Sequence, residues 1–384
     1  MKSNVPPMWL IILLMMFPQT VETIYSPALT DIAAGFQVAE HSASQTLSVY
    51  FVAFAFGVVL WGRAADIFGR RPVMLTGLGL YALGCMLALW APDFEWLLAS
   101  RCLSAFGVAV GSVIGQTIMR DCYQGSQLAR AFSVMAVAIA LSPLLGLWSG
   151  GALVSLGGYR AVFAALLITA LMLVVLTLAR LPETRPSLHS NAPLHRVAAA
   201  MAADPKIWCF GALVSLFNLM LFSYFSLGPF LFETLGLSSA QFGASGVVLA
   251  LGTAIGGWIN RTLLGREWSS LQLLQVASLA TLPAAAGVWL LQGTPWLLLP
   301  MMMVVTGFGI AIPNVLGLAL ADYRQVAGSA GAVFGGGYYL GLGMGMVWVA
   351  QLQNLGAVLS ISACAALVFT LVVGRLGRVS RCSA

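Results

Sequence analysis

The chain has 384 residues, 60% of them hydrophobic and only 8% charged, with a formal net charge of +6 and a mean hydropathy of +0.94. A soluble domain carries about 25% charged residues, so this composition excludes an ordinary soluble fold and describes an integral membrane protein. Strand-like alternation is absent, which leaves helices as the spanning elements.

At ~20 residues per span, a chain of this length holds about twelve helices. They are expected at 8–27, 44–62, 73–91, 95–118, 130–153, 159–179, 207–228, 241–260, 270–291, 295–318, 329–351 and 356–374. Lys2 and the apolar run from Met8 resemble a secretory signal. The run is too long, however, contains Glu22 and lacks a small-residue cleavage site, so it reads as a retained first helix. Every Lys and Arg except Arg101 and Arg160 falls in a tail or in a loop after an even-numbered span. By the positive-inside rule, that alternation predicts a multi-pass protein with both termini in the cytoplasm. The positive charge is thereby accounted for, and no nucleic-acid partner is expected.

The stretch Gly62-Arg-Ala-Ala-Asp-Ile-Phe-Gly-Arg-Arg-Pro72 reads as a charged cytoplasmic turn between the second and third spans. Gly62 and Gly69 permit a tight turn, and Asp66 can pair with neighbouring cations or a helix N-terminus. The longest loop, between 179 and 206, holds Pro182, Pro186, Pro193, Pro205, His189 and His195, and reads as a linker. The expected domains are therefore 1–180, a linker 181–206, and 207–384. The two six-helix halves show faint repetition. Pro143, Gly146, Gly150 and Gly151 in the fifth span correspond to a glycine-rich eleventh span carrying Gly335, Gly336 and Gly337. The three histidines read as solvated surface groups. The six cysteines have no metal spacing and read as apolar filler. No cofactor is expected, and no Ser/His/Asp set or metal cluster suggests an enzyme.

Two charges fall well inside spans, Glu22 and Arg101. Such charges are costly in hydrocarbon and usually face an aqueous path. At ~1.5 Å per residue both lie roughly 8–9 Å from the outer boundary, so they can pair or compete. The balance between burial and a neighbouring arginine decides whether a carboxyl holds a proton. A substrate that alters that balance would load or release one. Glu22 and Arg101 are thus the expected proton-coupling residues. Candidates for contact with a small-molecule substrate are Gln19, Gln116 and Asn218, because an unpaired amide in lipid is costly, and Tyr50, Tyr224 and Tyr338, as aromatic cavity walls suited to lipophilic substrates.

These motifs resemble the major facilitator superfamily over the whole chain. Gly62, Ala65, Asp66, Gly69, Arg70 and Arg71 match its loop G-x-L-A-D-R-x-G-R-[RK]-x, with Ile67 in place of an arginine whose part Arg63 is expected to take. Several segments resemble the Bcr/CflA-type drug:proton antiporters: Ser26-Pro27-Ala28-Leu29, Arg101…Gly107, Ser142-Pro143-Leu144-Leu145-Gly146, Leu181-Pro182-Glu183-Thr184, Ser226-Leu-Gly-Pro229-Phe230, Pro313-Asn314 and Ala327-Gly328-Ser329-Ala330. That group usually has Asp four residues before the helix-one proline, where this chain has Thr23 beside Glu22. The resemblance implies an all-α fold of twelve transmembrane helices in two pseudo-symmetric halves. It also implies a conformational gate at Gly62, Asp66, Gly69, Arg70 and Arg71, and an antiporter motif at Pro143 and Gly146. The expected activity is proton-coupled export of lipophilic compounds or drugs across the bacterial inner membrane by a monomer. The alternatives are export of a dedicated metabolite, such as a nucleoside or siderophore, or uptake by proton symport.

Overall fold

A computed structural model describes residues 5–185 and 194–382. The chain is helical throughout these residues: α1 (Met8–Ile24), α2 (Leu29–Phe36), α3 (Glu40–Phe68), α4 (Arg70–Leu89), α5 (Phe94–Cys122), α6 (Gly125–Arg180), α7 (Leu194–Ala202), α8 (Pro205–Thr234), α9 (Ser239–Leu264), α10 (Ser270–Leu291), α11 (Leu298–Ala319), α12 (Ala327–Leu352) and α13 (Leu355–Cys382). Eleven helical stretches among the described residues are long and apolar enough to cross a membrane, one of them covering Arg130–Arg180. At 51 residues and ~1.5 Å each, that stretch is more than twice the ~30 Å of a bilayer core. It breaks at Gly157 (φ −166°) and Gly158 (φ 65°), so it supplies two spans and the total is twelve.

Three expectations are corrected. The charged stretch after the second span is not a loop. α3 runs on through Gly62–Phe68, α4 starts at Arg70, and Gly69 at φ 101° is the only residue between them. A backbone that stays helical into the polar zone satisfies its own N–H and C=O groups, which a long turn would leave open. The first span does not stop near Pro27. A short 3₁₀ turn, Ser26–Ala28, carries the chain into α2, which ends at Gln37 in the left-handed region. The linker is not wholly irregular either, since α7 lies within it, burying Val197 and Met201 while His195 is exposed. His189 and Lys2 lie outside the described residues.

The helices form two compact units, one holding α1–α6 together with Ser239–Ala244, the other the rest of the chain. In the first unit α5 packs against α1, α3 and α4. Its sequence explains why. Gly107, Gly111 and Gly115 recur every fourth residue and form a smooth stripe. A Cβ on Gly107 would stand 2.6 Å from both the Gly77 carbonyl oxygen and the Tyr81 nitrogen of α4. One on Gly111 would stand 2.5 Å from the Leu14 carbonyl oxygen of α1. Backbones at such range leave no room for a methyl group. α5 is thereby held against α1 and α4, with Arg101 six residues before Gly107 on the same helix.

Gly107→Ala is therefore expected to destabilise the chain by ~1–3 kcal/mol through overpacking. Gly79→Ala, where nothing lies within 4 Å of the added Cβ, is expected to be neutral or slightly stabilising. Thermal denaturation of both variants in the same detergent checks the pair. Equal melting temperatures would contradict the packing argument.

Candidate functional site

Glu22 of α1 and Arg101 of α5 are each only 1% exposed. The carbon at the centre of the Arg101 guanidinium lies 4.0 Å from the ring centre of Tyr25 and 4.7 Å from that of Tyr50. Tyr25 stands three residues after Glu22, at the end of α1, and Tyr50 belongs to α3. Two aromatic faces thus hold the cation, in contacts worth about 2 kcal/mol or more when desolvated. The rings satisfy the charge but not the hydrogen bonds. Among the described residues, Nε, Nη1 and Nη2 of Arg101 have no hydrogen-bond partner, and neither does Oε1 of Glu22. Among the described residues the ion pairs within 4.0 Å are those of Arg70, so Glu22 and Arg101 do not form one.

The neighbouring residue Thr23 looks elsewhere. Its hydroxyl donates to the carbonyls of Gln19 and Thr20 at 3.1 and 3.2 Å. A Cβ on Gly146 of α6 would collide with that hydroxyl and approach the Thr20 carbonyl to 2.9 Å. Gly146 and Gly150 thereby let α6 lie directly on α1, and Pro143 sits one turn before this contact. Position 23 faces α6, while Glu22 lies ~100° away round the helix, one turn before the Tyr25 ring that carries Arg101.

At the α3–α4 corner the geometry is denser. Arg70, 6% exposed at its side chain, donates from Nη1 to Asp66 at 2.8 Å and from Nε to Asp121 of α5 at 2.9 Å. Glu183, beyond the end of α6, caps α4. Its carboxylate accepts the backbone N–H of Arg70 at 2.9 Å and of Arg71 at 3.2 Å, as well as those of Thr184 and Arg185. Burial opposes ionisation of Glu183, but the four N–H donors outweigh it and hold its carboxyl below the usual range. Arg71 donates to the Leu178 carbonyl and Arg185 to the Ile67 carbonyl, both at 2.8 Å. The relay expected of Arg63 does not fall to it. Arg63 is exposed, and Arg70 makes the pairs. Gly62 is half-buried on α3.

The candidate substrate residues do not gather in one place. Tyr50 belongs to the Arg101 cluster, and half-buried Gln19 lies one turn before Glu22. Gln116 is exposed and stands fifteen residues beyond Arg101 on α5, ~22 Å along the axis. In the second unit, the Asn218 amide donates to the Val214 carbonyl at 2.8 Å. The Tyr224 hydroxyl is paired with Ser245 at 2.6 Å, and Tyr338 packs on Tyr339. Among the described residues no group of three His, Cys, Asp or Glu could hold a metal. Three participants were missed from sequence: Tyr25, Asp121 and the capping role of Glu183. The available signals were an aromatic one turn after a buried acid, and an acid directly after Arg120 at the end of the fourth span.

Comparison with known proteins agrees with this architecture. Residues 8–346 match the Major Facilitator Superfamily. The chain is 30% identical to an uncharacterized transporter of Rickettsia bellii over 96% of its own length and 97% of that protein. It is 28% identical to Multidrug resistance protein D of Escherichia coli over 92% and 91% of the two chains. The partially occluded, inward-open structure of the xylose transporter XylE from Escherichia coli superposes with a TM-score of 0.75 at 14% identity, covering 98% of each chain.

The Glu183 cap has a measurable pH signature. Its carboxyl is held below the usual range in the folded chain, so its contribution is fully present above the ordinary carboxylate pKa and is lost as pH falls through the lowered one. Glu183→Gln is expected to melt at a lower temperature than the unaltered chain at neutral pH, with the gap closing on acidification. A gap that stays constant across that range would show that the charge of Glu183 does not stabilise the corner.

Proposed function

This chain belongs to the Major Facilitator Superfamily and is a membrane transporter of small molecules rather than an enzyme; we propose that it exports lipophilic compounds in exchange for protons. The observation that carries this reading is Glu22: the one acid well inside a span, buried, with a carboxylate oxygen that has no partner among the described residues, one turn before the Tyr25 ring that carries the Arg101 guanidinium. A buried carboxyl without a fixed partner is suited to exchanging its proton, because neither protonation state is locked by a bond. The name of the Escherichia coli relative, Multidrug resistance protein D, supports a drug-like substrate, and the Bcr/CflA-like motifs support antiport within that group.

In this mechanism Glu22 alternates between a protonated and an ionised form. The ionised form draws on the cation of Arg101, and Tyr25 and Tyr50 hold that cation in place. A substrate that binds the ionised form more tightly than the protonated one favours loss of the proton, so the two are carried in opposite directions. The corner built by Asp66, Arg70, Arg71, Asp121 and Glu183 acts as a latch on one of two conformations, with residues 1–180 and 207–384 as the bodies that rock and 181–206 as their tether. Pro143 and Gly146 keep α6 against α1 behind Glu22. The protein works as a monomer in the bacterial inner membrane, with both termini in the cytoplasm.

Glu22→Gln keeps size and hydrogen bonding but cannot release a proton. It is expected to retain substrate binding and downhill exchange while losing uphill transport driven by a pH gradient. Arg101→Ala is expected to move the pH dependence of flux, and that displacement should vanish in the Glu22→Gln background, since coupled residues are non-additive. Proton-driven flux in proteoliposomes, for the unaltered chain, both singles and the double, measures this. Full accumulation by Glu22→Gln would remove Glu22 from the mechanism.

The latch predicts an order of severity. Asp66→Asn leaves Arg70 its bond to Asp121, whereas Arg70→Ala removes the pairs with both Asp66 and Asp121. Both are expected to weaken transport with the protein still inserted, and Arg70→Ala the more. Uptake and release assays on matched amounts of membrane protein would expose the opposite order.

A further inference from the structure

Asp31 has no part in the cluster around Arg101, yet the packing ties it to that cluster. Gly157 and Gly158 take α6 out of helical geometry, so the N–H of Tyr159 stands at the head of a new helical segment, where donors are open. Asp31, in the first turn of α2, accepts that N–H. The same short helix clamps the Tyr159 ring. A Cβ on Gly35, four residues after Asp31, would stand 3.2 Å from the ring, and the Phe36 ring lies 5.5 Å away, centre to centre. Among the described residues the ion pairs within 4.0 Å are those of Arg70, so the Asp31 carboxylate serves a backbone N–H and not a cation.

From Tyr159 a line of rings runs inward. Tyr159 and Phe163 are four residues apart and share one face of α6. Their ring centres are 6.4 Å apart and their planes nearly perpendicular, at 82°. Phe163 in turn lies 5.7 Å from Tyr25, tilted by 58°. Both separations fall in the range where aromatic pairs hold a preferred mutual orientation. Phe163 is 1% exposed and Tyr25 fully buried, so neither ring has free space to turn into. The Tyr25 face carries the Arg101 guanidinium at 4.0 Å, with Tyr50 of α3 as the second face at 4.7 Å. A cation held by ring faces follows them when they move, and Arg101 has no hydrogen bond among the described residues to anchor it elsewhere.

We propose that Asp31 is a positioning residue for Arg101: by capping Tyr159 it sets Tyr159, Phe163 and Tyr25 in register, so that the bend at Gly158 and the buried cation move as one body. A rearrangement that parts α2 from α6 at the bend breaks the cap, frees the Tyr159 ring and loosens one of the two faces that hold Arg101. The consequence for transport rests on the reading of Arg101 given above; the positioning does not.

Arginine ¹⁵N NMR of the purified, full-length chain in lipid nanodiscs tests this. Protons over a ring face are shifted upfield, so the Arg101 signal, assigned by its loss in Arg101→Lys, is expected to stand apart from those of exposed arginines. Asp31→Ala is expected to move it toward them. Asp31→Asn keeps an oxygen that accepts the Tyr159 N–H and is expected to leave it in place. Phe163→Leu cuts the line in the middle and is expected to move the signal with the cap intact, whereas Phe36→Leu touches Tyr159 off the line to Tyr25 and is expected not to. In the Phe163→Leu background, Asp31→Ala is expected to add no further movement. A lowered melting temperature of Asp31→Ala with an unmoved Arg101 signal would overturn the inference and reduce Asp31 to a helix cap. An unmoved signal in Phe163→Leu would overturn it as well, without any Asp31 variant having to fold. Proton-driven flux is measured separately in proteoliposomes. A moved signal with unchanged flux would leave the positioning standing and remove Arg101 from the transport mechanism.

Discussion

A helix that begins near the edge of a bilayer has N–H groups that water can no longer be counted on to satisfy. In the first unit this is solved twice in the same way. At Gly69 and at Gly158 the chain passes through a positive φ and starts a new helical segment at once, with no cap from its own side chains. The acceptor is brought from far away. Glu183 takes the N–H groups of Arg70 and Arg71 across 113 and 112 positions, and Asp31 takes that of Tyr159 across 128. Each carboxylate crowds the point where the Cβ of an L-residue would lie: Oε2 of Glu183 is 2.6 Å from that point at Gly69, and Asp31 closes on it at Gly158. The bends and their caps are one construction. A side chain at either glycine would displace the acid that makes the bend tolerable.

The consequence runs inward. With its corners fixed, α3 and α4 can be pressed against the glycine stripe of α5, and α1 and α6 against each other at Gly146 and Gly150. Packing at that range holds Arg101 between Tyr25 and Tyr50. The cluster sits in a rigid cradle, while its own hydrogen bonds are left open. An unsatisfied buried polar group costs free energy whatever its role, and the close packing around it offsets that cost.

Much of this was legible in the residues themselves. Charge scarcity gave the class, the alternation of Lys and Arg gave twelve spans, and the isolation of Glu22 and Arg101 among apolar neighbours singled them out. What the sequence hid was pairing across distance. Arg63 and Arg70 are equally plausible partners for Asp66 by spacing, and only the packing of α5 beside the corner brings Asp121 to Arg70. Glu183 looked like part of a motif after the sixth span, with nothing local to say which helix it would end. The stretch 62–68 looked like a loop because it is charged, yet a helix can carry charges past the membrane edge as readily as a turn. Asn218 and Tyr224 looked unpaired because their partners, the Val214 carbonyl and Ser245, announce nothing in the sequence.

The orientation of Thr23 bears on how such a chain can diversify. Moving the acid of α1 by a single residue, from 22 to 23, would carry it away from Arg101 and Tyr50 and into the contact with α6, where Gly146 leaves room for little more than a hydroxyl. A carboxylate at 23 would therefore need a reshaped α1–α6 contact as well, so the acid cannot shift by one residue while its neighbours stay as they are.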